Sequence, residues 1–435
     1  MENPSKPCYH HIAILTSPGI GHTIPIIALG KQILSLHGFQ VTIFITNSHS
    51  STAQAELLQT QTMNEGFQIM LKSAILALEH RPTVLIVDIF GTDAFELADE
   101  LGMLKYVFIT TTAMFTALTL YLPTLDEEIK GEYVHQKEPI QVPGCKPIQI
   151  EYLIDPMMDR QNDQYSSMLY QASRYPLADG TLINTCEELE QIPIKALQEN
   201  SVLKRIPTPP IYPVGPLTRV GEGSAISGDK NTCLDWLNKQ PSRSVIFVSF
   251  GSGGTLTAEQ ITELAWGLEK KTFGTYFTSG SGGGKPSDYL PEGFLNRTVE
   301  VGLVVLSWCP QLEILRHEAV SACLSHCGWN TTLECIVNGV PLIAWPLFAE
   351  QRSNASLLVE DVGVAIRPHI WSTNQLIGRT EIEKMIRTLM EKKGAENPRR
   401  VRAMEMKDSV LRALDEDGSS HKALLEVSKQ WKAAN

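Results

Sequence analysis

The stretch SHCGWNTTLE, residues 325–334, gathers a histidine, a tryptophan, an asparagine, two threonines and a glutamate. The apolar run before it, 319–324, reads as a strand, and 331–337 reads as a helix closed by Asn338 and Gly339. A strand, a glycine-containing turn and a helix N-terminus bring unpaired backbone N–H groups and the positive end of the helix dipole together, which suits an anion. A phosphorylated small molecule is the first expectation. A second group lies near the start. His22 follows the glycine turn SPGIGH, and Asp88 ends the apolar run in LIVDIF. If these two strands are parallel neighbours, the carboxylate can orient and support the imidazole as a general base. A third glycine-rich strand end, SFGSGG, is followed by a T-x-x-Q capping box, Thr257 to Gln260, which puts Ser252 near a helix start. One buried histidine or tryptophan alone is more often core than site; several at fixed spacing are not.

Parallel sheets have to position these groups. HHIAILTS, VTIFITN, TVLIVDIF and YVFITTT alternate with helical stretches in the first half, and SVIFVSFGS, GLVVLSW, AVSACL, VPLIAWPL and VGVAIRP do so in the second. Continuous apolar strands separated by helices predict sheets covered on both faces. The Pro- and Gly-rich stretch between the halves reads as a linker. The expectation is two doubly wound Rossmann-like α/β domains facing across a cleft, with ligands at the strand ends. Its boundaries are an acceptor-binding domain at 1–205, a linker at 206–230, a nucleotide-binding domain at 231–415, and a final helix at 416–435 that packs back toward the first domain.

Composition narrows the classes. The chain has 435 residues, too many for one ordinary core, and 43% are hydrophobic. A formal net charge of -11 argues against a nucleic-acid partner. No stretch reads as a membrane span or a signal h-region. The eight cysteines form no CxxC pair and no zinc spacing, so reduced thiols, a cytoplasmic location and no metal are expected. Asp415 and Asp417 form a D-x-D that reads as a solvated helix end. A nicotinamide enzyme is disfavoured, because neither glycine turn is a full G-x-G-x-x-G and no acidic residue ends the next strand.

The 44 residues 308–351, WCPQLEILRHEAVSACLSHCGWNTTLECIVNGVPLIAWPLFAEQ, resemble the signature of plant secondary-product UDP-glycosyltransferases. PGIGH, VDIFGTDAF, YPVGPL and SFGSGG extend the likeness over most of the chain, and VDIFGTDAF and WPLFAEQ are similar to the branch containing hydroquinone glucosyltransferase. The resemblance implies a GT-B fold and a metal-independent, inverting transfer from UDP-glucose, a co-substrate and not a cofactor, to a phenolic or flavonoid acceptor. It implies that Trp308 stacks on uracil while Gln311 and the backbone of Cys309 bond its edge. Glu334 then accepts from the ribose, His326, Asn330, Thr331 and Ser252 hold the diphosphate, and Trp329, Glu350 and Gln351 meet the sugar. His22 is the base, Asp88 its support and Gly19 an acceptor-side candidate. The enzyme is expected to act as a monomer on an oxygen; transfer to a ring carbon is the alternative, and a non-catalytic UDP-sugar sensor the more distant one.

Two departures from the family stand out. After the helix that opens near Thr257, the family's core strand FxWVxR has no counterpart, and GTYFTS resembles the middle of the loop that follows it. Near 57–63 the chain is shorter by a strand and loop. A central strand cannot be dropped without opening the sheet, so roughly a dozen residues, the length of a strand and its turn, read as absent from the second half of this chain.

Overall fold

The computed structural model describes residues 10–36, 38–46, 65–219, 230–269, 274–278, 290–305, 309–369, 375–390 and 397–434. They form two compact units. The first comprises Met1–Ile150, Pro156–Thr218 and Arg412–Asn435, and the second comprises Glu151–Asp155 and Arg219–Leu411.

In the first unit the strands are β1 (His10–Thr16), β2 (Phe39–Ile45), β3 (Val84–Asp88), β4 (Leu104–Ile109), β5 (Gly180–Ile183) and β6 (Ile211–Pro213). They lie in the order β2-β1-β3-β4-β5-β6, every neighbouring pair parallel. β3 is buried along its whole length, as a strand covered by helices on both faces must be. Leu15 pairs with Val87, so Ser17 and Asp88, just beyond, come together at the carboxyl ends of these two interior strands. The segment at 206–230 is not all linker: Ile211–Pro213 is the sixth strand. It lies at the sheet edge, where a proline that cannot donate is tolerated.

The helix Ser419–Ala433 completes this unit. Its Trp431 is fully buried, edge-on to Phe39 at 6.0 Å and to Tyr106 at 5.6 Å. Gln430 Nε2 donates to Tyr212 Oη, and Tyr106 Oη donates to Gln430 Oε1. An indole enclosed this way costs about 3–5 kcal/mol when cut to alanine.

The second unit repeats the design with β7 (Val245–Ser249), β8 (Gly274–Thr278), β9 (Leu303–Val305), β10 (Val320–Ser325), β11 (Leu342–Ala344) and β12 (Ala365–Ile366). The order is β12-β11-β10-β7-β8-β9, again parallel. The expectation of a missing strand is corrected here. GTYFT, read from the sequence as loop, pairs with β7 on one side and β9 on the other. The reason is physical: an open position beside β7 would leave a buried row of backbone groups without partners. The shortfall near 57–63 lies outside the described residues. Asp415 and Asp417 are exposed in the turn between Pro398–Leu414 and Ser419–Ala433, as expected of a solvated helix end.

Candidate active site

Beyond the carboxyl end of β1, Gly19 turns the chain into the helix Ile20–Ser35. Its φ of 105° lies in a region that strains any residue with a Cβ. The Gly19 carbonyl accepts from the N–H groups of His22 and Thr23, which fixes the first turn and with it the imidazole. His22 Nδ1 lies 3.2 Å from Asp88 Oδ2, in ion-pair range but off the line of a straight hydrogen bond. The other nitrogen, Nε2, has no partner among the described residues. The ring also packs against Phe90, with centroids 5.4 Å apart.

Asp88 is completely buried. Its Oδ2 accepts from the Ser17 N–H at 2.7 Å, and its Oδ1 accepts from Ser17 Oγ at 2.5 Å and from the Phe90 N–H at 3.2 Å. Burial pushes this carboxyl up, but His22 and the two Ser17 donors outweigh it, and the net pKa is lowered. Asp88 is therefore a fixed carboxylate beside the imidazole. Ser17 and Phe90 were not foreseen from sequence, although the β1–β3 register contains Ser17's placement.

In the second unit β7 and β10 end side by side, with Ser249 paired to Ser325. Beyond β10 the chain turns through Cys327, whose φ is 63°, into the helix Trp329–Asn338, which has no side-chain cap at its N-terminus. His326 fills the space between the two glycine turns. A Cβ at Gly251 would sit 2.5 Å from its Nε2, and one at Gly328 would sit 2.4 Å away. Burial, opposed by the Ser249 backbone, lowers its pKa to about 4. At neutral pH it is thus an uncharged ring able to donate one N–H, not a cation. Asn330 is half-buried, Thr331 is buried, and Ser252 is exposed in the turn after β7.

Glu334, on the same helix, is 1% exposed. Its Oε2 accepts from Gln311 Nε2 at 2.6 Å, and Arg219 Nε stands 3.4 Å from Oε1. Burial raises its pKa, only partly offset by Arg219 and Gln311. Gln311, given to uracil by the sequence reading, here spends its amide inside the protein: Nε2 also donates to Thr331 Oγ1, and Oε1 accepts from Ser249 Oγ. The Cys309 carbonyl accepts from the Gln311 N–H. Trp308 lies outside the described residues. Trp329 is 3% exposed, so little more than an edge of its ring is open to a ligand.

The loop after β11 carries Glu350 and Gln351. Gln351 Oε1 accepts from the N–H groups of Leu347 and Phe348 at 2.9 and 3.1 Å. The sequence reading had this amide both donating to and accepting from a sugar; the acceptor end is already occupied, and only the NH₂ remains to donate. Glu350 Oε1 accepts from Asn354 Nδ2 at 3.4 Å. Asp155, which contacts Ala349 and Arg352, and Arg219, which contacts Glu334, are not legible in the sequence, because each lies over a hundred residues from its partners.

Residues 197–414 match the family model for UDP-glucoronosyl and UDP-glucosyl transferase. Anthocyanidin 3-O-glucosyltransferase 5 of Manihot esculenta is 43% identical, over 98% of this chain and 96% of its own length. Hydroquinone glucosyltransferase of Rauvolfia serpentina is 41% identical over 97% of each chain. The first alignment runs over 474 positions, so at least 39 of them have no counterpart among the 435 residues here. The crystal structure of TcCGT1 in complex with UDP superposes with a TM-score of 0.89 at 41% identity, covering 98% of this chain and all of that one. Two strand-end sites on paired parallel sheets, this degree of identity and coverage at both ends lead to one conclusion: the chain belongs to the plant UDP-glycosyltransferases and is a GT-B enzyme of that family.

Proposed function

We propose that the protein transfers glucose from UDP-glucose to a phenolic oxygen with inversion, using His22 as the base. The observation that carries this reading is the His22–Asp88 pair: an imidazole with one nitrogen held 3.2 Å from a buried, fully bonded carboxylate and the other without a partner among the described residues. That is the arrangement of a general base with an orienting group. Nε2 takes the acceptor's proton, the oxygen lone pair attacks the anomeric carbon, and the bond to the diphosphate oxygen breaks with its electrons leaving on UDP. Attack from the far face converts an α-linked sugar into a β-glucoside. Asp88 holds the ring and stabilises the imidazolium.

Leaving-group charge meets donors fixed beforehand: the neutral imidazole of His326, the N-terminus of Trp329–Asn338, and the side chains of Asn330, Thr331 and Ser252. Trp308 takes the uracil with the Cys309 backbone, Glu334 and its partner Gln311 take the ribose side, and Glu350 with the Gln351 NH₂ takes the sugar. These groups carry out the reaction without a metal. The names of the relatives, anthocyanidin and hydroquinone glucosyltransferases, support a phenolic acceptor. None of the seven cysteines among the described residues is in a disulfide, which suits a reducing cytoplasm.

Incubation with UDP-glucose and a panel of phenols and flavonoids tests the proposal, with fragmentation of the product by mass spectrometry. Loss of the intact sugar marks the expected O-glucoside. Cleavage across the sugar ring marks a C-glucoside, and UDP-sugar binding without turnover on any acceptor leaves a sensor.

A further inference from the structure

The loop that presents Glu350 and Gln351 contains a backbone anomaly. Ala349, directly before them, sits at φ 57°. This left-handed region is unfavourable for a residue with a Cβ, so something must hold it there. Asp155 contacts Ala349 on both sides: its N–H donates to the Ala349 carbonyl at 3.0 Å, and its Oδ2 accepts from the Ala349 N–H at 2.8 Å. Its second oxygen, Oδ1, pairs with Arg352 Nη2 at 2.8 Å, one residue past Gln351. A single carboxylate thus grips the chain immediately before and after the two residues.

Asp155 is itself anchored. It ends the short segment Glu151–Asp155, which belongs to the second unit although residues on both sides in sequence belong to the first. Tyr152, 3% exposed, donates to Glu360 Oε1 at 2.6 Å, and the Arg367 guanidinium lies 4.9 Å from its ring centre. Leu153 and Ile154 are fully enclosed, and the Leu153 carbonyl accepts from Arg352 Nη1 at 3.4 Å. The strap is anchored where it meets the loop.

We propose that Asp155 is a positioning residue for sugar recognition: it holds Ala349 in the left-handed conformation and thereby aims Glu350 and Gln351 at the donor's sugar. This rests on the reading that these two residues meet the sugar. Uracil, ribose and phosphates are held by other segments, so the effect must fall on the sugar-bearing donor and spare UDP. Sub-ångström placement of such contacts controls rate as well as affinity.

The experiment measures donor KM and kcat with UDP-glucose alongside the Kd of UDP. Asp155→Ala is expected to lower kcat/KM for UDP-glucose about five- to thirtyfold, the range set by the left-handed penalty of an L-residue, with the Kd of UDP within about twofold. Ala349→Gly in the Asp155→Ala background removes that penalty and should recover most of the loss, which a merely structural role for Asp155 does not predict. Equal weakening of UDP and UDP-glucose, or no recovery by Ala349→Gly, overturns the proposal. If Asp155→Ala fails to fold, Ala349→Val in the wild-type background takes its place, since a β-branched residue resists φ 57°. It should raise donor KM and spare UDP, and an unchanged KM overturns the proposal. Gln351→Ala separates the inference from the reading beneath it. Full glucose transfer by Gln351→Ala removes the sugar-facing role itself; loss in Gln351→Ala with full activity in Asp155→Ala removes only the clasp.

Discussion

Asp88 and Glu334 are both carboxylates buried to within 1% of full enclosure, one in each unit, yet their surroundings push them in opposite directions. Burial raises both. Asp88 receives three hydrogen bonds from Ser17 and Phe90 and the close approach of His22, and ends with its pKa lowered. Glu334 is bonded by Gln311 and approached by Arg219, with the charges of Glu313 and Arg316 acting in opposite directions from farther off, and ends with its pKa raised. Enclosure alone therefore does not decide the state of a buried acid; the charges and donors that face it decide with it, His22 first of all for Asp88. Asp88 is finished by the fold, as suits a permanent charge beside the base proposed for His22. Glu334 has acceptor capacity to spare, which the two hydroxyls of a ribose would fill in the proposed reading.

The largest effect tests the base that Asp88 serves. A general base contributes about 10²- to 10⁴-fold, less when the acceptor ionises unaided. His22→Ala should nearly abolish glucose transfer to a weakly acidic phenol and retain part of the transfer to a nitrophenol. Initial rates across a series of phenols of graded acidity show this as a steepening slope. One common factor for every acceptor, in folded protein that binds UDP normally, removes the base role.

Next in size, Asp88→Asn and Glu334→Gln put the opposite shifts directly to the test. Asp88→Asn should cut kcat about ten- to hundredfold, because the imidazole stays while the charge that stabilises its protonated form is gone. It should also lower Tm at neutral pH. Asp88's folded pKa is depressed, so its stabilisation is present above the ordinary carboxylate value of about 3.9 and is lost as pH falls through the lowered one. The Tm difference from wild type should shrink only in that acid range.

Glu334→Gln should do the reverse to stability. A raised folded pKa favours the protonated form, and its contribution is lost as pH rises through the raised value, so the ionised group is a cost at neutral pH. The amide removes that cost, and Tm of the donor-free protein should rise. Donor KM should nevertheless increase about tenfold, the worth of a charge-assisted hydrogen bond, with kcat little changed, since the ribose is bound alike in ground and transition states. Thermal melts of both variants from pH 3 to 8 decide the matter; shifts of the same sign would show that burial alone governs both sites.

The sequence showed these two regions unequally. Both sheets were legible in the apolar runs, and so was the turn into Trp329–Asn338, since strand, glycine and polar cluster are contiguous. The His22–Asp88 pairing needed only the assumption that two early strands are neighbours. What stayed hidden was long-range: Ser17 on Asp88, Arg219 on Glu334 and Asp155 on Ala349 leave no local pattern, because nothing in the spacing says which distant side chain completes a buried acid. β8 was hidden for another reason. GTYFT is matched to a loop by its likeness to the family although Thr, Tyr and Phe favour strands, and the demand for it comes from the open edge of β7. β6 hid behind its prolines, which read as linker but are compatible with an edge.

The smallest effect concerns the weaker of Glu334's two partners. Arg219 Nε is 3.4 Å from Oε1 and off the hydrogen-bond line, and its side chain is 25% exposed, so solvent screens much of the attraction. Arg219→Gln should therefore raise donor KM only about two- to threefold at pH 8, within the range of a screened pair. Its diagnostic signature is the pH dependence. Arg219 lowers the Glu334 pKa against the upward push of burial, so removing it moves that pKa further up. Donor binding that needs the carboxylate as an acceptor must then begin to fail at a higher pH than in wild type as the solution is acidified. Donor KM measured from pH 5 to 8 should show the acid limb displaced upward in Arg219→Gln and absent in Glu334→Gln, where no proton can be gained. An acid limb that is the same in all three proteins would assign it to some other group and leave Arg219 without influence on Glu334.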